Sequence, residues 1–207
     1  MNYPFDTVGL NSETIDTFDE TYKLLKSKFK AELTGSINFH LEDFEVFRDC
    51  TAVNLKGSYA IKNTANTCYI LFSEIHKVKR GGTSFPSVHN YYEYQNWALA
   101  YLKKDFGRVL IRPETLRDKL LELIHPIELD FKEDKAFSDT FYVLVSDYQK
   151  AVSAIDRNFR NAVMDIRNED FIIEVINHTL IIGHHKPVPP EKVVHLAEFV
   201  SRVCSIC

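Results

Sequence analysis

Between Ile15 and Val78 the hydrophobic period of this chain changes from helical to two, and that switch limits the available folds more than any other feature. Ile15, Phe18, Tyr22, Leu25 and Phe29 recur at spacings of three and four, which draws one apolar stripe on a helix. Asn11 or Ser12 is placed to cap it, Glu13 and Asp16 complement the dipole of its first turn, and Thr34-Gly35 is predicted to end it, because glycine accepts the left-handed conformation that closes a helix. From Ser36 onward Ile37, Phe39 and Leu41 alternate. Runs at Ala52 to Ile61 and Thr67 to His76 follow, separated by Arg48-Asp49 and by Asn63 to Asn66, and together they read as an antiparallel meander.

Lys79 to Pro86 is a turn or mobile loop by composition, and strands resume at about Tyr91 to Leu102 and at Val109 to Ile111, joined by a turn at Lys103 to Gly107. Pro113 opens a short helix with Leu116, Leu120, Leu123 and Ile124 on one face, and Pro126 stops it. Ile127 to Phe131 and Phe141 to Val145 are predicted strands, with Phe141 and Val143 pointing into the core. Asp147 caps a helix carrying Ala151, Ile155, Phe159, Val163 and Ile166, with a break near Asp156. Phe171 to Ile176 and Thr179 to Gly183 form a hairpin about Asn177-His178, since asparagine tolerates positive φ, and Pro189-Pro190 opens the final helix. Antiparallel strands interspersed with single helices indicate an α+β class: a mostly antiparallel meander with N-terminal, middle and C-terminal amphipathic helices. Residues 1–35 are expected to form the N-terminal amphipathic helix and residues 36–207 a single α+β domain.

A chain of 207 residues, 45% hydrophobic and 26% charged, has the composition of a globular protein, and one this long buries roughly 70% of its unfolded surface without a disulfide or metal. A net charge of −4 and no long basic block argue against nucleic-acid partners. No run of residues is apolar enough to span a bilayer, and the four cysteines are spaced unlike a secreted scaffold. A soluble protein of a reducing, cytoplasmic compartment is expected.

Gly57, the Phe72-Ser73-Glu74 triplet, and the acidic lead-in (Asp130, Glu133, Asp134) to Phe137-x-x-x-Phe141-x-Val143 with Asp147 carry a resemblance to an uncharacterised bacterial family of membrane-anchored proteins. The match extends through the helix after Asp147 and the hairpin at Phe171 to Gly183, covering roughly Phe29 to Lys186. In that family a similar soluble domain follows a pair of N-terminal hydrophobic helices, and no activity is assigned. This chain lacks the hydrophobic pair, and its Ala151-Val152-Ser153 lacks the charged and aromatic residues the family pattern has there. The resemblance therefore implies a free-standing relative or a trimmed soluble part, membrane-associated if hydrophobic segments lie upstream.

Several residue groups invite a functional reading, each beside a simpler one. His178, His184 and His185 with Cys204 and Cys207 offer zinc ligands, but adjacent strand histidines face opposite ways, so solvated strand-end histidines and no metal are favoured. Cys204-x-x-Cys207 has redox spacing but follows a helix, where the dipole raises a thiol pKa. Lys77, Lys79 and Arg80 before Gly81-Gly82 form the best small basic patch; a solvated turn is the simpler reading. Among the aromatics, Trp97, Leu99 and Tyr101 share a strand face directed to the core, whereas Tyr92 and Tyr94 share the other with Asn96 and are candidates for exposure. Glu74, Asp130, Glu133, Asp134 and Asp147 supply carboxylates without a visible histidine pairing, Asp147 being most simply a cap.

The sequence thus points to a domain that acts by binding a protein partner or a second copy of itself, without catalysis and without a cofactor, through a surface that includes Lys77, Lys79, Arg80, Tyr92 and Tyr94. Two alternatives stand beside it: an enzyme with a site at Glu74, His76 and the 79–94 loop, and a cytosolic sensor domain of a membrane protein.

Overall fold

The computed structural model describes residues 3–62, 67–81, 87–113 and 127–207. Helix α1 (Ser12–Lys28) starts where the Asn11 side chain accepts from the Thr14 amide at 2.8 Å, and Lys26 and Lys28 complement the dipole of its last turn. It stops at Phe29, well before the predicted glycine, because the chain is drawn into the sheet as β1 (Ala31–Leu33), whose Ala31 pairs with Ile61. Strand pairing overrides a helical stripe that local propensity alone would continue.

The remaining strands are β2 (Ala52–Lys62), β3 (Thr67–Gly81), β4 (Ser87–Tyr101), β5 (Arg108–Pro113), β6 (Ile127–Glu128), β7 (Phe141–Val145), β8 (Ile172–Ile176) and β9 (Thr179–Gly183). They form one sheet in the order β1-β2-β3-β4-β9-β8-β5-β7-β6, and every described pair is antiparallel. The α+β class follows: this sheet carries α1, α2 (Lys135–Ser138), α3 (Tyr148–Ala154), α4 (Arg157–Asp165) and α5 (Pro190–Ile206). The break expected near Asp156 separates α3 from α4, with the Asp156 carboxylate capping α4 through the Phe159 amide at 3.0 Å. Asn177 takes φ of 54° in the two-residue link between β8 and β9.

Two apolar layers sandwich the sheet. On one face α5 lies across β3 and β4 and packs on α1 and α4, burying Phe18 and Leu25 of α1 with Cys68, Ile70, Phe72 and Ala98 of the sheet. Phe141 and Val143 are buried in this layer, as the alternation predicts. The opposite face holds Leu71, Ile75, Trp97, Leu99, Leu110 and Ile181 beneath a cover built from residues 39–47. Gly183 stands opposite Trp97 in the register, and a Cβ there would meet the indole at 2.4 Å, so only glycine lets the ring lie flat across β9.

That cover corrects a prediction. Ile37, Phe39 and Leu41 alternate as a strand would, yet the segment forms two 3-10 turns, Leu41–Asp43 and Glu45–Phe47, entered through His40 at φ 52°. Its apolar side chains serve as a lid: Phe39, Leu41, Phe44, Val46 and Phe47 are all buried against the sheet. Two other strand predictions shift. Lys79 to Gly81, expected in a loop, belong to β3, the rest of that expected loop up to Pro86 lies outside the described residues, and Tyr101, expected in the core, is 44% exposed, edge-on to Tyr69. The helix predicted after Pro113 lies outside the described residues.

Candidate functional site

β2 leaves its neighbour at Ala52, opposite His76, and β9 leaves at Gly183, opposite Trp97. Beyond those points β3 and β4 continue together as a two-stranded arm, paired from Lys77 with Tyr91 to Gly81 with Ser87. At about 3.4 Å per residue this extension reaches roughly 17 Å past the last rung that β2 supports. Ribbons of two strands are marginal in water, so an arm of this length stands out as the least self-sufficient part of the sheet. It also exposes large apolar side chains: Val88 is 62% exposed, Tyr91 43% and Val78 37%, and Tyr92, on the rung at its root, is 55% exposed.

Alternation sorts the arm into two faces. Lys77 and Lys79 lie on one, with Tyr91, His89 and Glu93 across from or diagonal to them, and Lys77 Nζ binds Glu93 Oε2 at 2.8 Å. Tyr92 and Tyr94 lie on the other with His76 and Val78. The His76 ring stacks on Tyr92 at 4.8 Å with 10° between planes, and its Nε2 is 3.0 Å from Asn90 Oδ1. Arg80 stands at the register position opposite Val88. Of the five residues singled out in the sequence, Lys77, Lys79 and Arg80 lie in the arm, whereas Tyr92 stands opposite His76 at the last rung that β2 supports and Tyr94 two residues deeper, so the five share neither the arm nor one face. Tyr94 is rooted at its base, half-buried against Phe18, with its hydroxyl donating to the Gly9 carbonyl at 3.0 Å.

Glu74 and His76, the core of the enzymatic alternative, are neighbours on the same face but serve different partners. Glu74 is buried beside Lys56, which the irregularity between Leu55 and Gly57 inserts as an extra residue in β2. Lys56 Nζ lies 3.7 Å from Glu74 Oε2 and 3.3 Å from Asp6 Oδ2, and donates to the Val8 carbonyl at 2.7 Å. With the Asp6 amide on the Lys56 carbonyl and the Tyr59 hydroxyl on the Pro4 carbonyl, this pins residues 4–8 across the sheet. The Val8 amide is the main reason the Asp6 carboxyl is held below its usual range, with Lys56 assisting. An open groove of about 490 Å³ runs beside this latch, lined by Tyr3, Phe5, Leu33, Ile37, Lys56 and Ser58 among others. The 79–94 stretch, expected as a loop, is strand at both ends.

The remaining candidates resolve into packing. His184 is buried, its Nδ1 against the Asp170 carbonyl, and burial pushes its pKa down; it is not the solvated residue predicted, though His178 and His185 are exposed. Cys204 and Cys207 are buried at the end of α5. A hydrogen bond with Cys68 and burial raise the Cys204 thiol, and burial raises Cys207 to about 11, which keeps both protonated and unreactive at neutral pH. Asp147 caps α3 through the Lys150 amide at 3.1 Å. No group of three or more histidines, cysteines and carboxylates is arranged to hold a metal among the described residues.

Two polar centres have no signature in the sequence. Arg160 gathers the acidic lead-in, reaching Asp134 at 2.8 Å and Glu133 at 3.5 Å. Glu174, fully buried on the lidded face, accepts from the Val46 amide at 3.0 Å and stands 3.4 Å from Arg108 Nε. Burial raises the Glu174 carboxyl, against the pull of the Glu45 and Val46 amides and of Arg108. Both centres fasten together segments that are far apart in the chain, a relation that spacing does not encode.

Among the described residues no helix is long and apolar enough to cross a membrane. No family model matches the sequence and no curated protein is similar to it, which accords with its resemblance to a family without an assigned activity. Among solved structures the chain is similar to the crystal structure of the mycobacterial trehalose monomycolate transport factor A, TtfA, with a TM-score of 0.60 and 10% identity over 95% of this chain and 95% of that one. At that identity the likeness is one of fold, and it extends across nearly the whole of both chains.

Proposed function

We propose that this protein acts by docking rather than by catalysis, and that the β3–β4 arm is the docking element. The observation that carries the reading is the arm itself: a ribbon outside the body of the sheet that exposes Val78, Val88 and Tyr91, with the exposed Tyr92 at its root. Aromatic residues are enriched where proteins meet, because a large ring covers much surface at little entropic cost. Lys77 and Lys79 flank the aromatic residues, giving the surface a polar rim. Glu74, His76 and Lys56 support this reading by being spent on internal contacts: the first pair orders the root of the arm and the last ties down the N-terminal segment. TtfA is a transport factor, and such a role fits a docking module of the same fold.

The test is site-specific photocrosslinking in the cells that make the protein, with a photoreactive phenylalanine at Tyr92 and, as control, at Tyr148, which is 52% exposed on α3. A discrete adduct formed from position 92 and not from 148 is the expected result. Equal, diffuse labelling from both positions would remove the case for a docking arm.

A further inference from the structure

At the end of β3 away from the arm, two cysteines meet inside the core. Cys68, near the start of β3, and Cys204, in the last turn of α5, are both fully buried. The Cys68 sulfur lies 3.5 Å from the Ser201 hydroxyl, and Ser201 stands one turn before Cys204 on the same helix. From the helix side the Cys204 thiol reaches toward the Tyr101 carbonyl at 3.9 Å, and Tyr101 follows Ala100, the register partner of Cys68. The two thiols are hydrogen-bonded to each other. Thiols in such contact need only a small approach to reach a bonded S–S separation. The half-buried Cys50 is placed differently, packing with the lid on the opposite face of the sheet.

We propose that Cys68 and Cys204 form a redox latch, which hydrogen peroxide closes into a disulfide that fastens the end of α5 to β3. The Ser201 that touches Cys68 is only half-buried, which sets the pair just beneath the surface and within reach of so small an oxidant. The hydrogen bond from Cys204 pulls the Cys68 thiol below its ordinary range, against burial and with help from Ser201, so Cys68 is the attacking sulfur. Its thiolate takes one oxygen of the peroxide: an S–O bond forms, the O–O bond breaks, and the departing hydroxide leaves as water with the proton that Cys68 gave up. Cys204 keeps its proton chiefly through the hydrogen bond to Cys68, and the oxygen now on Cys68 removes that restraint. The Cys204 sulfur then attacks the sulfenic sulfur, the S–S bond forms, the S–O bond breaks, and a second water carries away the Cys204 proton. Both thiols are oxidised and one peroxide is reduced to water, so the step needs no other reactant. The bridge ties residue 68 to residue 204 and so restrains most of the unfolded chain, while the β3–β4 arm, at the far end of β3, is left as it is.

The experiment is peptide mapping of the full chain after treatment with hydrogen peroxide, the remaining thiols being blocked with iodoacetamide in urea before digestion. A linked pair of peptides carrying Cys68 and Cys204, released by dithiothreitol, is the expected product. It should form equally in Cys50→Ser and Cys207→Ala and be absent from Cys68→Ser and Cys204→Ala. The oxidised wild type should also unfold about 5 °C or more above the reduced protein, a gain that dithiothreitol reverses, because the bridge joins residues far apart in the chain. Recovery of both cysteines in alkylated form, under conditions that oxidise Cys50, overturns the proposal without recourse to any variant. So does a sulfinic acid on Cys68 with no bridge, a bridge that forms as readily when peroxide is added in urea, or a bridge that leaves the unfolding temperature where it was.

Discussion

Arg160 donates from Nε to Asp134 Oδ2 across 2.8 Å while its guanidinium lies 4.5 Å from the centre of the Phe131 ring. The same side chain donates to the Ile155 carbonyl at 3.0 Å, at the break between α3 and α4. One buried cation thereby satisfies the end of one helix, the cap residue of α2 and an aromatic face at once.

Arg160→Ala is expected to lower the unfolding free energy by about 2–3 kcal/mol, below the roughly 3–5 kcal/mol of a fully buried pair, since Asp134 retains partial contact with water. Arg160→Lys should recover less than half, because lysine has no second arm for the Ile155 carbonyl. Urea denaturation of the three proteins measures both. Equal stability of the alanine variant and the wild type would make the cluster ornamental.

Much of the architecture is legible in the sequence because one face of each element is buried and the buried residues repeat at the period of that element. The strands of the β8–β9 hairpin and the apolar side of α5 follow from that rule, whereas the α3–α4 break lies within an unbroken stripe from Ala151 to Val163 and is marked only by the capping Asp156. The lid at residues 39–47 is not legible, since Phe39 and Leu41 alternate as in a strand and only the left-handed His40, with its amide on the Asn38 side chain, turns them into a cover. At the arm the basic and glycine-rich composition of the turn masks the strand residues that flank it, Lys77 to Gly81 and Ser87 to Asn90, and with them the exposed Val78 and Val88. Arg160 and Glu174 escape a sequence reading for a different reason. Their partners are distant in sequence, and no local pattern distinguishes a buried charge from a solvated one.

Glu174 gives a pH prediction with a definite sign. Its folded-state carboxyl is raised above the ordinary glutamate value, so its favourable contribution is complete below that value and is lost as pH rises through the folded-state one. Wild-type stability measured against Glu174→Gln should therefore improve as pH falls from neutrality to the ordinary glutamate value, because the glutamine keeps the shape of the protonated acid and does not titrate. Denaturant midpoints at neutral pH and at that value provide the comparison. A gap that widens in favour of the glutamine on acidification would mean that Arg108 holds the carboxylate charged.

Lys56→Met removes the cation from between Asp6 and Glu74 while keeping its length. Leaving Glu74 buried beside a methyl thioether should cost about 3 kcal/mol, and adding Glu74→Gln should return a large part of it, since the cost lies in the stranded charge. The latch should also open locally. Hydrogen exchange at the Asp6 amide, which donates to the Lys56 carbonyl at 2.7 Å, is expected to accelerate while β8 and β9 remain protected. Uniform acceleration across the sheet would show instead that the lysine supports the whole fold.

Deleting residues 1–29 tests what the apolar stripe of α1 is for. Phe18 and Leu25 are buried, and Ile15, Tyr22 and Phe29 pack against the same core, with the Phe18 ring 4.5 Å from that of Phe72. An isolated helix of this length is marginal in water, so its stability comes from that face, and the face it covers on β3 and α5 is as apolar as the stripe itself. Truncation uncovers Phe72 and Tyr59 together, and the shortened protein is expected to aggregate, which light scattering detects at once. Phe18→Ala separates this from any role of α1 as a tether, because it leaves the helix in place and removes only the packing; a loss of about 3–5 kcal/mol is expected. If the truncated chain stays soluble and as stable as the intact one, α1 is a connector and its burial against α5 contributes nothing that the sheet requires.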